Sequence, residues 1–299
     1  MGSDVQWLEL SCRVDREAAE PVGELFARYG RGVALEDVGL TEGDEQATAA
    51  PCVTIRTYLP ADEAADESRR AIERGLWVLG LIRPVGPLET RTLAEADWAE
   101  AWKAHFYVHR VGRRVVIKPS WRAYAPSADD VVIELDPGMA FGTGLHPTTQ
   151  LCLQELEERV RPGNRVLDLG TGSGILAIAA ARLGASRVLA LDTDAVAVAV
   201  ARANIEANGL AETIAAKQGT LPLPGSGRTF DVVVANIIAR VIADLAVSLA
   251  EVLAPAGTLI ASGILLQREQ EVATALYAAG LRAVGRRQDG DWLALVAQR

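Results

Sequence analysis

Asn164-Arg165-Val166-Leu167-Asp168-Leu169-Gly170-Thr171-Gly172-Ser173-Gly174-Ile175-Leu176 is the stretch on which the reading of this chain turns. Val166, Leu167 and Leu169 form the short apolar run of a buried strand. Glycines follow at alternate positions, 170, 172 and 174, and Ile175, Leu176, Ile178 and Leu183 then recur at helical spacing. The order is strand, tight turn, helix. Glycine has no Cβ and accepts positive φ, so this density of glycine lets the main chain bend sharply and touch a ligand directly. The helix that follows points its free N–H groups at the same spot. A ligand is expected to lie here against backbone.

The dinucleotide fingerprint would place its third glycine at position 175, where this chain has Ile175, which argues against a nicotinamide cofactor. The spacing Asp168-x-Gly170-x-Gly172-x-Gly174 is instead similar to the first motif of class I methyltransferases that use S-adenosylmethionine. That resemblance implies that Asp168 lies near the methionine amino group of the cofactor. Downstream, a strand over Val188–Leu191 ends at Asp192, eighteen positions past Gly174, where a carboxylate can accept both ribose hydroxyls. Asp194 reads as the cap of the next helix, whose apolar face carries Val196, Val200 and Ile205 and which stops at Asn208-Gly209. A weaker strand over 213–217 leads to Gly219-Thr220, where adenine is expected near the backbone.

The 299 residues, 49% of them hydrophobic, suffice for one large or two medium domains with buried cores. A net charge of −9 and a pI near 5.0 disfavour an extended nucleic-acid groove and favour a small basic protein as partner. Cys12, Cys52 and Cys152 are widely spaced and odd in number, so neither a disulfide framework nor a zinc site is indicated. His105 and His109 share helical spacing but lack a third ligand nearby, and no metal is expected. No signal peptide, myristoylation pattern or membrane span is legible, and the expectation is a monomeric cytoplasmic protein.

Taken from its start, the chain alternates apolar residues over 5–14 and continues with a helix carrying Val22, Leu25, Phe26 and Tyr29. Strands are expected at 32–39, 52–59 and 88–93, with a charged helix near 62–80 between the last two. This βαββαβ order is the split, ferredoxin-like α+β arrangement. With no glycine loop and no cluster of catalytic types it reads as a recognition or docking module, and its boundary is placed at residue 92. The second domain, 93–299, opens with Trp98 and Trp102 on one helix face, suited to a core or domain junction. A hairpin around Gly112 follows, then a strand over Val131–Leu135.

That strand leads into Asp136-Pro137-Gly138-Met139-Ala140-Phe141-Gly142-Thr143-Gly144-Leu145-His146-Pro147-Thr148-Thr149. Its three glycines, phenylalanine and histidine describe a ligand-sized loop, although Pro147 and the two threonines also suit the first turn of a helix. After Leu176 the α/β rhythm is regular. A buried strand over 230–235 ends in Asn236-Ile237-Ile238-Ala239, and a long helix carrying Ile238, Val241, Ile242, Leu245 and Leu249 follows. A strand over 257–261, Ser262-Gly263-Ile264-Leu265, a helix to Gly280 and a hairpin through Asp289-Gly290 complete the chain. The expected fold class is α/β, a class I methyltransferase Rossmann-like seven-stranded sheet behind the α+β domain.

Four segments together resemble one family, the methyltransferases of large-subunit ribosomal protein L11: Trp98-x-x-x-Trp102-Lys103 with the hairpin to Trp121, Asp136–Thr149, Val166–Ile175, and Asn236-Ile237 with Ser262–Leu265. Phe141-Gly-Thr-Gly-x-His-Pro-Thr-Thr149 is the specific part. The resemblance implies S-adenosylmethionine-dependent methylation of lysine ε-amines and of an N-terminal α-amine, up to the trimethyl state, with the first domain recognising the ribosomal protein. It implies Gly170 and Gly172 against the cofactor, Asp192 on its ribose, and Thr143 and Gly144 over its methionine end. Asn236 would serve both cofactor and catalysis, and Phe141 and His146 would face the substrate. Amine-directed relatives carry Asn-Pro-Pro-Tyr where this chain has Asn236-Ile237-Ile238-Ala239, so no aromatic acceptor contact follows Asn236. The alternatives are methylation of another protein lysine, of a nucleic-acid or small-molecule amine, a nicotinamide oxidoreductase, and a non-catalytic scaffold.

Overall fold

The computed structural model of the chain describes residues 6–15, 18–30, 33–37, 52–62, 64–94, 107–136, 144, 146–223 and 230–299. They divide into two compact units, the first ending at Tyr107 and the second beginning at Val108. Trp98, Trp102, Lys103 and His105 lie outside the described residues. Among the described residues no helix is long and apolar enough to cross a membrane.

The first unit runs β1 (Gln6–Asp15), α1 (Ala19–Tyr29), β2 (Val33–Asp37), β3 (Cys52–Pro60), α2 (Ala65–Gly80) and β4 (Glu89–Ala94). Its strands form an antiparallel sheet in the order β2-β3-β1-β4, the ferredoxin-like arrangement expected from the element order. Alternation along β1 decides the packing: Leu10, Cys12 and Val14 turn to one face, where they meet Val22 and Phe26 of α1 and Ile72 and Leu76 of α2. Phe26 and Ile72 are fully buried, each worth about 2–3 kcal/mol of apolar burial. Trp7, Tyr58 and Leu93 cluster separately. The boundary placed at 92 falls inside β4, which stays paired with β1 as far as Gln6↔Ala94.

The second unit begins with β5 (His109–Val111) and β6 (Val115–Lys118), an antiparallel hairpin, and β7 (Val131–Glu134), parallel to β6. It continues with α3 (Pro147–Arg159), β8 (Arg165–Leu169), α4 (Ile175–Arg182), β9 (Arg187–Asp192), α5 (Ala195–Ala207), β10 (Ile214–Gln218) and β11 (Phe230–Asn236). It ends with α6 (Ala239–Asp244), α7 (Ala246–Val252), β12 (Leu253–Leu265), α8 (Glu269–Ala278), β13 (Arg282–Asp289) and β14 (Trp292–Gln298). The last seven strands form one sheet, β10-β9-β8-β11-β12-β14-β13, in which β14 alone runs antiparallel to its neighbours.

Apolar residues at consecutive strand positions explain why both faces of this sheet are covered. Val166, Val232, Val234 and Ile260 point to the side of α3, α4 and α5, against Leu153, Ile178 and Val198. Leu167, Leu169, Val233, Ala235, Leu259 and Ala261 point to the side of α6, α7 and α8, against Ile242, Leu249 and Leu276. The chain moves outward from β8 through β9 to β10 and then returns to the other flank of β8 as β11. The carboxyl ends of β8 and β11 therefore open a crevice at the reversal of strand order, where open α/β sheets place their ligands.

Three expectations need correction. The long helix over Ile238–Leu249 is two helices, because Leu245 takes φ −95° and ψ 2° between them, and each buries its own set, Ala239 and Ile242 in α6 against Ala246, Leu249, Ala250 and Val252 in α7. Ile238 is not helical at all but precedes α6 with extended backbone. The closing hairpin turns one residue later than read, with Asp289 still paired to Trp292 and Gly290 at φ 55°.

Close packing at the crevice makes one glycine indispensable. Gly263 sits at φ 81° in an irregularity of β12 between Ser262 and Ile264, and a Cβ there would drive into the carbonyl of Ile237. Gly209, at φ 67°, faces open space. Gly209→Ala should cost only the left-handed conformational penalty of about 1–2 kcal/mol. Gly263→Ala should cost about 3 kcal/mol or more, because backbone must also move. Denaturant midpoints of the two variants give the comparison, and equal losses would contradict this packing.

Candidate active site

The turn after β8 has the backbone its glycines predict: φ is 76° at Gly170, 52° at Gly172 and 85° at Gly174. The N–H groups of Gly170 and Thr171 both donate to the Leu191 carbonyl, at 2.8 and 2.9 Å, which ties the turn to the end of β9. A Cβ on Gly174 would come 3.2 Å from the Cβ of Ala201, so the small residue also lets α4 and α5 approach closely.

Two carboxylates face this turn from different depths. Asp168 is fully buried; its Oδ2 accepts from the Thr171 hydroxyl at 2.6 Å and the Ala177 N–H at 3.1 Å. Its Oδ1 is buried with no hydrogen-bond partner among the described residues. Burial pushes the carboxyl up to about 7, opposed by the Thr171 and Ala177 hydrogen bonds and assisted by the charge of Asp192. Asp192, half-buried at the end of β9, accepts from the Gly172 N–H at 2.9 Å through Oδ2 and from the Asp194 N–H at 3.0 Å through Oδ1. Asp194 caps α5 by accepting from the Val196 N–H at 2.8 Å, as its position suggested. The Gly219 N–H reaches the Asp192 carbonyl at 2.8 Å, which brings the end of β10 to the same edge.

Across the crevice stands Asn236, the last residue of β11. Its Nδ2 donates to the Thr149 hydroxyl at 3.4 Å, and Thr149 is buried in the first turn of α3. His146 precedes that helix and caps it: Nδ1 accepts from the Thr148 N–H at 3.2 Å and lies 2.7 Å from the Thr148 hydroxyl. The ring meets Trp292 edge-on, with centroids 5.1 Å apart, and burial lowers the imidazole to about 4. His146 is therefore neutral near pH 7 and occupied as a cap, a poor general base. Gly144, buried at φ 85°, packs where a Cβ would strike Ile117 and come 3.0 Å from Ile175 at the start of α4. Phe141 and Thr143 lie outside the described residues.

Asp168, Gly170, Gly172, Asp192 and Asn236 thus converge on one crevice, with Gly144 and His146 on segments that pack against it. Thr149, the hydrogen-bond partner of Asn236, was visible only as a first-turn threonine. Thr171, which holds Asp168, was visible only as a spacer between glycines. A separate cleft of about 490 Å³ lined by Lys118, Glu134, Arg182 and Asn208 contains none of these residues. Its cations are already engaged, Lys118 by Glu134 at 2.6 Å and Arg182 by the Asn208 carbonyl at 2.8 Å.

The sequence profile described as ribosomal protein L11 methyltransferase (PrmA) matches residues 6–299. The chain belongs to this family. Curated relatives named ribosomal protein L11 methyltransferase include one from Chloroflexus aurantiacus, 49% identical over 98% of both chains, and one from Herpetosiphon aurantiacus, 49% identical over 99% of both. The crystal structure titled ribosomal protein L11 methylase from Lactobacillus delbrueckii subsp. bulgaricus is 36% identical, with a TM-score of 0.59 over 65% of this chain and 99% of that one. The family uses S-adenosylmethionine, and the crevice suits it: the unpartnered Oδ1 of Asp168 matches a buried ammonium, and the carboxylate of Asp192 a pair of hydroxyls.

Two opposing pH effects follow. Native Asp168 keeps its proton up to about 7 while the unfolded carboxyl loses it near 4, so its contribution to stability is lost as pH rises across that window. His146, depressed to about 4, contributes stability that is lost as pH falls below its ordinary value of about 6.5. The slopes oppose each other, so wild-type melting alone hides both. In Asp168→Asn the stability deficit relative to wild type should shrink as pH rises from about 5 to about 8, by at most about 1.4 kcal/mol per pH unit. S-adenosylhomocysteine affinity should rise with pH over the same window in wild type and stay flat in the variant. A pH-independent difference would contradict the assigned state of Asp168.

Proposed function

We propose that this methyltransferase transfers methyl groups to lysine ε-amines, and to the N-terminal α-amine, of ribosomal protein L11, up to the trimethyl state. The observation that carries the reading is the family match across residues 6–299, with full-length relatives of that name at 49% identity. The acidic chain, at net charge −9, suits a basic protein partner better than nucleic acid. The first unit, which ends at Tyr107 rather than at residue 92, recognises the protein substrate, and the second unit carries the chemistry. The protein acts as a monomer in the cytoplasm.

S-adenosylmethionine supplies an electrophilic methyl group on a sulfonium. Gly170 and Gly172 would hold the cofactor against backbone, Asp192 would accept from its ribose hydroxyls, and Asp168 would face its ammonium. The family resemblance would put Thr143 and Gly144 at the methionine end and Phe141 and His146 toward the substrate. Asn236 closes the acceptor side, its carbonyl and amide oxygens available to N–H groups of the incoming amine. Those bonds aim the nitrogen lone pair along the line of displacement, where positioning supplies most of the rate. The amine must arrive neutral, although a free lysine titrates at about 10.4, so the site has to favour the uncharged form by desolvation. The cofactor would supply the methyl group to the lone pair that Asn236 aims and leave as a neutral thioether, and the amine would give up its proton to solvent.

Labelled S-adenosylmethionine with purified ribosomal protein L11 should mark lysines and the N-terminus, read by mass spectrometry. Asn236→Ala should lower kcat by about 100-fold or more while S-adenosylhomocysteine affinity stays within about threefold. Parallel loss of both would place Asn236 on the cofactor alone, and no labelling by a cofactor-competent enzyme would reject L11 as substrate.

A further inference from the structure

Three aliphatic side chains stand in solvent at the edge of the crevice that holds Asn236. Ile238 is 68% exposed, Leu265 39% and Leu266 38%. Ile238 lies two residues beyond Asn236; Leu265 closes β12 and Leu266 follows it. The strands are neighbours in register, Asn236↔Ser262, and the Ile237 N–H donates to the Ser262 carbonyl at 3.2 Å. The three side chains therefore sit at one end of two adjacent strands. Leu265 pairs in turn with Trp292, whose ring packs on His146.

Position 238 also places an exposed apolar residue where a polar one could cap a helix. It is the N-cap of α6, and no side-chain hydrogen bond caps that helix. Isoleucine is among the poorest residues there, whereas Ser, Thr, Asp and Asn each satisfy a free N–H. In the same unit His146 caps α3 and Asp194 caps α5, whereas α4, α7 and α8, like α6, have no side-chain cap. An exposed isoleucine at a cap thus forgoes both a hydrogen bond and a polar surface. Such local conflicts concentrate at functional sites, where another requirement outweighs stability.

The requirement can be named from what reaches Asn236. A lysine amine arrives on a stem of methylenes, which gains from apolar walls, and water removed from around that stem also disfavours the charged ammonium. We infer that Ile238, Leu265 and Leu266 form an apolar lip on which the methylene stem of the acceptor lysine lies as its amine approaches Asn236. This rests on the reading of the protein as a lysine methyltransferase of L11. It adds that acceptor specificity resides in the two strand ends and supplies a wall where no aromatic side chain follows Asn236.

The test uses the full-length protein with Ile238→Asp, Ile238→Leu and Leu265→Ser. Ile238→Asp should melt no lower than wild type, because aspartate caps α6, and should bind S-adenosylhomocysteine unchanged, while its KM for L11 rises about tenfold or more. Ile238→Leu should keep the wild-type KM, and Leu265→Ser, which touches no cap, should raise KM in the same direction. Wild-type KM in both polar variants overturns the lip, and so does an equal loss of cofactor affinity, which would assign these residues to the donor side. Absence of L11 methylation by the wild-type enzyme overturns the underlying reading and the inference with it.

Discussion

Ile237 is wedged between two glycines, and the geometry of the crevice depends on that fit. A Cβ on Gly170 would strike its side chain, and one on Gly263 would strike its carbonyl. The ends of β8, β11 and β12 can therefore converge only because two of the three contribute no side chain at the meeting point. Convergence places Asn236 across from the glycine turn: a Cβ on Gly170 would stand 3.8 Å from the Asn236 carbonyl oxygen. The glycine turn and the backbone of Asn236 are thus neighbours by packing, and interiors packed to this density transmit a single added methyl group as displacement.

Electrostatics add a second constraint at the same spot. Asp168 is a fully buried carboxyl with one oxygen satisfied by Thr171 and Ala177 and the other without a partner. A buried group of this kind destabilises the free protein once ionised, and an apolar residue of similar size would serve the core better. The cationic partner proposed for it, the ammonium of the cofactor, would account for its presence. Asp192, by contrast, is only half-buried and accepts from two N–H donors, which leaves it within reach of a ligand. Depth separates the two acids: one suits an ammonium, the other neutral hydroxyls.

Much of this was legible in the residues alone, because periodicity reports burial. The two-residue alternation of β1, the continuous apolar run of β11 and the glycine spacing after β8 each have one economical structural solution. Asp192 could be placed by its distance from the turn, and Asp194 by its cap position. What escaped had no local signal. The apolar spacing of Ile238, Val241, Ile242 and Leu245 mimics one helix, yet the chain breaks at Leu245 with no proline or glycine there to announce it. Ile238, seven residues earlier, precedes the first turn of α6 and is exposed, where periodicity would have buried it. Thr149 and Ser262, joined to other segments only by hydrogen bonds across the sheet edge, are likewise invisible until the strands are paired.

In the proposed site the turn after β8 and the ends of β9 and β11 act together, with Asp168 and Asp192 dividing the cofactor between them. A crystal structure of the protein with S-adenosylhomocysteine tests it most directly. The account predicts the ribose hydroxyls on Asp192, the ammonium on the Oδ1 of Asp168 and the sulfur facing Asn236. A ligand bound with Asp168 still unpartnered, or with its sulfur turned away from Asn236, would contradict it.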